Sequence, residues 1–198
     1  MKRIFSDFLV SWLESDRRKP LILRGARQVG KTWLVRELAR ASGRVLLEVN
    51  FDRNPEYARI FREEGSGPRR WLDDLGLRTG VEAPAEGLIL FLDELPEFKR
   101  SVLEVMRQPL EERKVTISRA KISVDFPANF MLIASMNPCP CGYYNHPEKE
   151  CVCGPGIVQR YLNKVSGPLL DRIDLHVEVT PVKFEEMTST RKSESSRD

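Results

Sequence analysis

No stretch of this chain stays apolar for long. The longest run, Leu88 to Leu92, is sized for a strand, whereas a helix that crosses a bilayer needs about 20 apolar residues. Membrane-spanning helices are therefore not expected, and no membrane partner is implied. The N-terminal MKRIFSDFLVSWLES starts basic but lacks both a continuous apolar core and a small-residue cleavage site, so it does not read as a secretory signal. Ile4, Phe5, Phe8, Leu9, Trp12 and Leu13 fall instead on one helical face, expected to pack on the domain. Charge of one sign is also missing. Lys+Arg 32 against Asp+Glu 29 leaves +3, a balance that permits nucleic acid as a partner without arguing for it. Internal repeats are absent, and so are cysteines outside positions 139 to 153. A cytoplasmic protein is the expectation.

What is present fits one α/β domain. A chain of 198 residues holds one full-sized core and is short for two. Five apolar runs, at 21–23, 45–49, 88–92, 130–135 and 175–179, alternate with helical patterns at 32–41, 55–61, 69–77, 99–110 and 155–165. That alternation is the mark of a largely parallel sheet covered by helices. KVTISRAKISVD, residues 114 to 125, alternates polar and apolar residues on both sides of Arg119-Ala120 and predicts a β-hairpin before the fourth strand, with Arg119 and Lys121 at a basic tip. The domain is expected over 1–187, and the apolar-poor TSTRKSESSRD from 188 reads as a solvated tail.

Residues 25 to 32, GARQVGKT, complete the G-x-x-x-x-G-K-[ST] phosphate-loop pattern, after a strand and before a helix. Gly25 and Gly30 let the backbone curl so that the amides of Ala26, Arg27, Gln28 and Val29 point inward at ATP phosphates, and the helix N-terminus adds a favourable dipole. Lys31 would reach the β- and γ-phosphates, and Thr32 would set its hydroxyl on Mg²⁺. In GLILFLDELPEF, the acids Asp93 and Glu94 close an apolar strand. Asp93 fits as the second holder of Mg²⁺ and Glu94 as the base for the attacking water, the alternative being a helix-capping pair. FMLIASMN is a further buried strand whose last residue, Asn137, can stand beside the γ-phosphate, or serve only as a turn residue before Pro138.

Cys139, Cys141, Cys151 and Cys153 form C-x-C-x₉-C-x-C. Two thiolate pairs can complete a tetrahedral Zn²⁺ site, although C-x-C is tighter than the usual C-x₂₋₄-C. Reduced free thiols and a disulfide remain alternatives, and His146 is a possible substitute ligand.

LILRGARQVGKTWLVRELA, NFDRNPEYARIF and RRWLDDLGLRTG, within about residues 1 to 94, resemble an ATPase family that carries a DUF4143-type C-terminal domain. From LFLDELPEFKRSVLEVMRQPLE through VTISRA, FPANFMLIASMNPCPCGYY, CVC, QRYL and SGPLLDRIDLHVEV, the chain is similar instead to magnesium-chelatase-like AAA+ ATPases of the ComM (YifB) type. The two likenesses meet near 88–94, in a strand whose acid pair both families use alike.

The resemblance implies a phosphate-loop NTPase sandwich with parallel sheet order 5-1-4-3-2, ATP hydrolysis with Mg²⁺, and a hexameric ring of identical subunits. It makes Asn137 a sensor of the γ-phosphate and Arg172 an arginine finger acting on a neighbour's ATP, unless Arg172 merely pairs with Asp171 or Asp174. It also suggests DNA remodelling of the branch-migration type, to which Arg119 and Lys121 would contribute. Relatives continue past this segment into a helical lid, so nucleotide binding is expected to survive better than turnover. A nucleotide-binding module without productive turnover and a magnesium-chelatase-type subunit are the two other readings.

Overall fold

The computed structural model describes residues 4–15, 19–50, 53–62, 68–82, 84, 87–119, 122–127 and 129–181. Its elements run α1 (Ile4–Glu14), β1 (Leu21–Arg24), α2 (Lys31–Ser42), β2 (Leu46–Asn50), a 3₁₀ segment (Pro55–Arg62), α3 (Pro68–Thr79), β3 (Ile89–Asp93), a 3₁₀ turn (Leu95–Glu97), α4 (Arg100–Val105) and α5 (Arg107–Glu112). There follow β4 (Lys114–Arg119), β5 (Ile122–Pro127), β6 (Met131–Met136), α6 (Ile157–Leu162), α7 (Gly167–Leu170) and β7 (Leu175–Glu178).

β2, β3, β6, β1 and β7 lie side by side in that order, all parallel. Counting only these strands along the chain, this is the expected 5-1-4-3-2. Each of the five apolar runs forms its strand, with ends displaced by no more than a residue. β4 and β5 pair antiparallel as a separate two-stranded sheet ahead of β6. Residues 120 and 121 between them, Lys121 included, lie outside the described residues, as do the side chain of Arg119 and the tail from 188.

Alternate strand residues point to opposite faces, and two cores result. Ile22, Leu47, Val49, Leu90, Leu92, Leu132, Ala134 and Met136 face Trp71, Leu72 and Leu75 of α3, Val102 and Leu103 of α4, and Tyr161 of α6. Leu21, Leu23, Ile89, Phe91, Met131 and Ile133 face Leu9 and Leu13 of α1 and Leu34, Val35 and Leu38 of α2. The outcome is a three-layer αβα arrangement. Both cores draw on residues from each side of 88–94, so the two halves of the chain pack into common interiors.

Three local expectations are corrected. The helix expected over 99–110 breaks at Met106 into α4 and α5. Pro109 has no N–H to offer the carbonyl of Val105, and its ring crowds that carbonyl. The 55–61 segment is 3₁₀ rather than α. On α1 the buried stripe is narrower than the apolar face: Leu9 and Leu13 are buried, but Phe8 is 50% exposed.

Two leucines on α3 separate burial from composition. Leu75 is 1% exposed and Leu77 is 84% exposed. Leu75→Ala is expected to lower unfolding free energy by about 2–5 kcal/mol, the usual cost of emptying a core site, while Leu77→Ala stays within about 0.5 kcal/mol of the parent. Urea melts of the two variants check this, and equal midpoints would contradict the assignment of α3 to the core.

Candidate active site

The carboxyl ends of the parallel strands converge on one place, where open α/β sheets bind ligands. β1 delivers the phosphate loop, β2 ends in Asn50, β3 in Asp93 and β6 leads into Asn137. Arg27, Gln28, Gly30, Lys31, Thr32, Asn50, Arg53, Asp93, Glu94 and Asn137 line a cavity of about 340 Å³ there.

The loop's shape follows from a few backbone demands. Gly25 lies against the end of the sheet, where an added Cβ would come within 2.3 Å of the Val179 carbonyl oxygen. Glycine is therefore required for that close approach. Gln28 (φ 64) and Gly30 (φ 84) take the left-handed conformation as the chain turns into α2.

Lys31 is buried, and its ammonium donates three hydrogen bonds: to Gly25 O (2.9 Å), Ala26 O (2.8 Å) and Asn137 Oδ1 (3.0 Å). Three donors meet three acceptors. Burial pulls the Lys31 pKa below its ordinary value, opposed by the nearby carboxylates of Glu94 and Asp93.

Asp93 is buried and accepts three side-chain hydrogen bonds. Thr32 Oγ1 (3.2 Å) and Asn50 Nδ2 (3.2 Å) reach its Oδ2, and Ser135 Oγ (2.5 Å) reaches its Oδ1. The carboxylate thus sits beside the Thr32 hydroxyl, the pair that can hold a divalent cation. Glu94, in the left-handed region at φ 58, turns away from the strand axis. Its Oε2 accepts from Asn137 Nδ2 at 2.6 Å. Burial raises the Glu94 pKa above its ordinary value, opposed by that hydrogen bond and by Lys31. A carboxyl held this way is suited to accept a proton.

Asn137 therefore joins the lysine to the acid, receiving from one and donating to the other. The structure brings the sequence-predicted Lys31, Thr32, Asp93, Glu94 and Asn137 together, and with them Asn50, Ser135 and Arg53, which the sequence did not single out. Asn50 carried a usable signal, since it closes an apolar strand just as Asp93 does and lies opposite it in register. Ser135, inside an apolar run, carried only its polarity.

Arg172 stands apart from this cavity. It pairs with Glu111, and its Nη1 donates to Pro168 O at 3.1 Å. Neither Asp171 nor Asp174 takes it, and Asp174 pairs with Lys19 at 3.0 Å.

The four cysteine sulfurs lie within 4.8 Å of one another. Cys139 Sγ is 3.3 Å from that of Cys141 and 3.8 Å from that of Cys151, and the Cys141 and Cys151 sulfurs are 3.6 Å apart. All four are free thiols. A tetrahedron with Zn–S bonds of about 2.3 Å has edges of about 3.8 Å, so the donor set fits a metal of that kind. His146 is not among the converging groups: its Nδ1 accepts from the Glu148 and Lys149 amides at 3.1 Å each.

Comparison with known proteins gives two family matches: "Magnesium chelatase, subunit ChlI" over residues 77–187 and "AAA domain" over residues 17–119. Competence protein ComM of Haemophilus influenzae is 53% identical over 102 residues, which is 52% of this chain and 20% of that protein. YifB of Salmonella typhimurium is 48% identical over 91 residues, 46% of this chain and 18% of its own length. The chain thus spans about a fifth of these curated relatives. A solved structure of a mutant RuvB from Thermotoga maritima matches with TM-score 0.50 at 16% identity, covering 88% of this chain and 43% of that one, a likeness of fold alone. Among the described residues no helix is long and apolar enough to cross a membrane.

The raised Glu94 pKa makes stability depend on pH. Unfolded glutamate titrates near about 4.3. The stability this group contributes is fully present below that value and is lost as pH rises through the higher folded value. Glu94→Gln, which cannot ionise, is expected to melt above the parent at pH 8, with the difference shrinking towards pH 4. Thermal unfolding at both pH values checks it; coincident midpoints at pH 8 would remove the burial penalty from the account.

Proposed function

The chain belongs to the magnesium chelatase, subunit ChlI, family and carries an AAA domain, and from that premise we propose that it binds and hydrolyses Mg-ATP as one nucleotide-binding domain over 1–187. The observation that carries the reading is the continuous path Lys31–Asn137–Glu94, with Thr32 and Asp93 adjacent.

The residues divide the work as follows. Phosphates enter the cavity and take the Lys31 ammonium, which leaves the Gly25 and Ala26 carbonyls. Mg²⁺, when bound, neutralises developing phosphate charge, and Thr32 and Asp93 are the residues that would hold it. Asn50, on the same oxygen as Thr32, and Ser135, on the other oxygen, keep the Asp93 carboxylate oriented. Once Lys31 turns to phosphate, Asn137 loses the donor on its Oδ1, and its amide is left to position Glu94 and the γ-phosphate together. Glu94 then accepts the proton of the attacking water.

Arg172 is the finger in this reading. It lies outside the cavity of its own chain and is held by Glu111 near the surface, so it would serve a neighbouring copy in a ring, with a hexamer as the expected closure. The work driven by turnover is remodelling of DNA, with Arg119 and Lys121 as contact residues. Support comes from the likeness to ComM, a competence protein. Zn²⁺ is the metal we assign to Cys139, Cys141, Cys151 and Cys153.

Steady-state ATP hydrolysis against protein concentration, with Mg²⁺, tests the reading. Turnover per subunit should rise with concentration. Glu94→Gln should lower it about 10²–10⁴-fold, the contribution of a positioned base, and Arg172→Ala about 10³–10⁵-fold, as for other arginine fingers. Flat turnover per subunit, or full activity in Arg172→Ala, would sink the shared site. ATP bound without hydrolysis would leave a binding module instead. Salt-sensitive DNA binding that disappears in Arg119→Glu with Lys121→Glu supports the DNA assignment.

A further inference from the structure

We propose that the four-cysteine loop is a metal-dependent brace for the phosphate loop, so that metal and nucleotide bind cooperatively. The inference rests on the nucleotide-binding reading above and adds how that site is regulated.

The loop from Pro138 to Gly156 lacks regular structure, and only Cys139 and Gly142 in it are buried. So long a connection with so little buried surface is held by local contacts, Tyr143 against His146 (5.6 Å between rings) and the amides on His146 Nδ1, rather than by a core of its own. The converging thiolates supply a further means to fix it, one that ties its two ends together. The Gly142 and Tyr144 amides donate to Cys139 Sγ at 3.2 and 3.3 Å. Such donors lower the cost of holding thiolate charge in a buried place.

The same turn touches the nucleotide site. Gly142, at φ 86, lies against Arg27, a residue of the phosphate loop that lines the cavity. The Arg27 amide donates to Gly142 O at 3.4 Å. A Cβ on Gly142 would fall 2.5 Å from Arg27 Cγ and 3.1 Å from its Cδ. Cys139 is meanwhile two residues from Asn137 along the chain, so the first thiolate also anchors the residue that links Lys31 to Glu94. Metal at the thiolates thereby fixes both the wall of the phosphate loop and its sensor.

Linkage makes this reciprocal: whatever factor the metal adds to nucleotide affinity, nucleotide adds to metal affinity. The probes are Zn²⁺ and Co²⁺, read by metal analysis and by the visible spectrum of cobalt-thiolate protein, and a fluorescent ATP analogue read by titration with Mg²⁺. Zinc-loaded protein should hold one ion per chain. Metal-free protein, prepared with a zinc chelator and again as Cys141→Ser with Cys151→Ser, should keep its circular dichroism yet bind the analogue about 5- to 150-fold more weakly, the usual span of such couplings. Arg27→Ala, which leaves the four cysteines and their amide donors untouched, should keep the cobalt spectrum yet shrink the difference in affinity between zinc-loaded and metal-free protein, which separates the Arg27 contact from metal binding. Folded metal-free protein with unchanged affinity overturns the brace, and so does wild-type protein that takes up no stoichiometric zinc. Zinc-loaded protein that binds no analogue at all overturns the nucleotide reading itself, and the coupling with it.

Discussion

A buried ammonium must have a partner for every proton, and much of the site is arranged to meet that demand at Lys31. Two of its acceptors are carbonyls of the loop it belongs to, and the third is the side chain of Asn137 on another strand's end. Removing a charge from water costs several kcal/mol unless hydrogen bonds replace the lost solvation. The loop therefore closes on its own lysine. Phosphate must offer more than two carbonyls and an amide oxygen, which an anion does. The lysine's resting place thus selects for charge before shape enters.

That arrangement needs the strand ends held to within a hydrogen bond of one another, and the sheet provides it. Asn50 lies opposite Asp93 in the ladder, and Phe91 opposite Ile133 two residues before the acid and two before Ser135. Asp93 therefore meets a donor from each neighbouring strand as well as from Thr32. The two family matches overlap over residues 77–119, a span that includes β3, the strand that lies between β2 and β6. Core residues from either side share both interiors. Volume and pattern largely decide whether such a core forms, and the alternating strand pattern is unbroken through this region.

The fold was legible because its signals are periodic. Buried parallel strands show as short apolar runs, and the phosphate loop fixes which strand comes first. The grouping of Lys31, Thr32, Asp93 and Glu94 was legible for a different reason: local spacing in one motif and one strand end carries it. Ser135 was not, since its place beside Asp93 exists only through register, which sequence spacing does not encode; Asn50 closes an apolar strand as Asp93 does, but only register sets the two side by side. Pro109 was a readable break that the apolar pattern of 99–110 masked. Arg172 is a different case. The alternative to a finger role had it pairing with Asp171 or Asp174, its neighbours in sequence, but the turn after α7 directs it to Glu111 across the fold.

The cysteines show where spacing stops and geometry begins. C-x-C-x₉-C-x-C points first to metal and leaves free thiols or a disulfide as alternatives. Sulfur separations of 3.3 to 3.8 Å among Cys139, Cys141 and Cys151 exclude a disulfide, which needs about 2.05 Å, and leave reduced thiols and a metal. Like-charged thiolates at that range repel, so their convergence is stable only with protons or a cation among them. A cation also satisfies all four at once, which protons shared pairwise do not. Four thiolates around one cation would leave no open coordination position for chemistry. Any contribution of such an ion to function would have to pass through the backbone it orders, and Gly142 against Arg27 is where that backbone meets the phosphate loop.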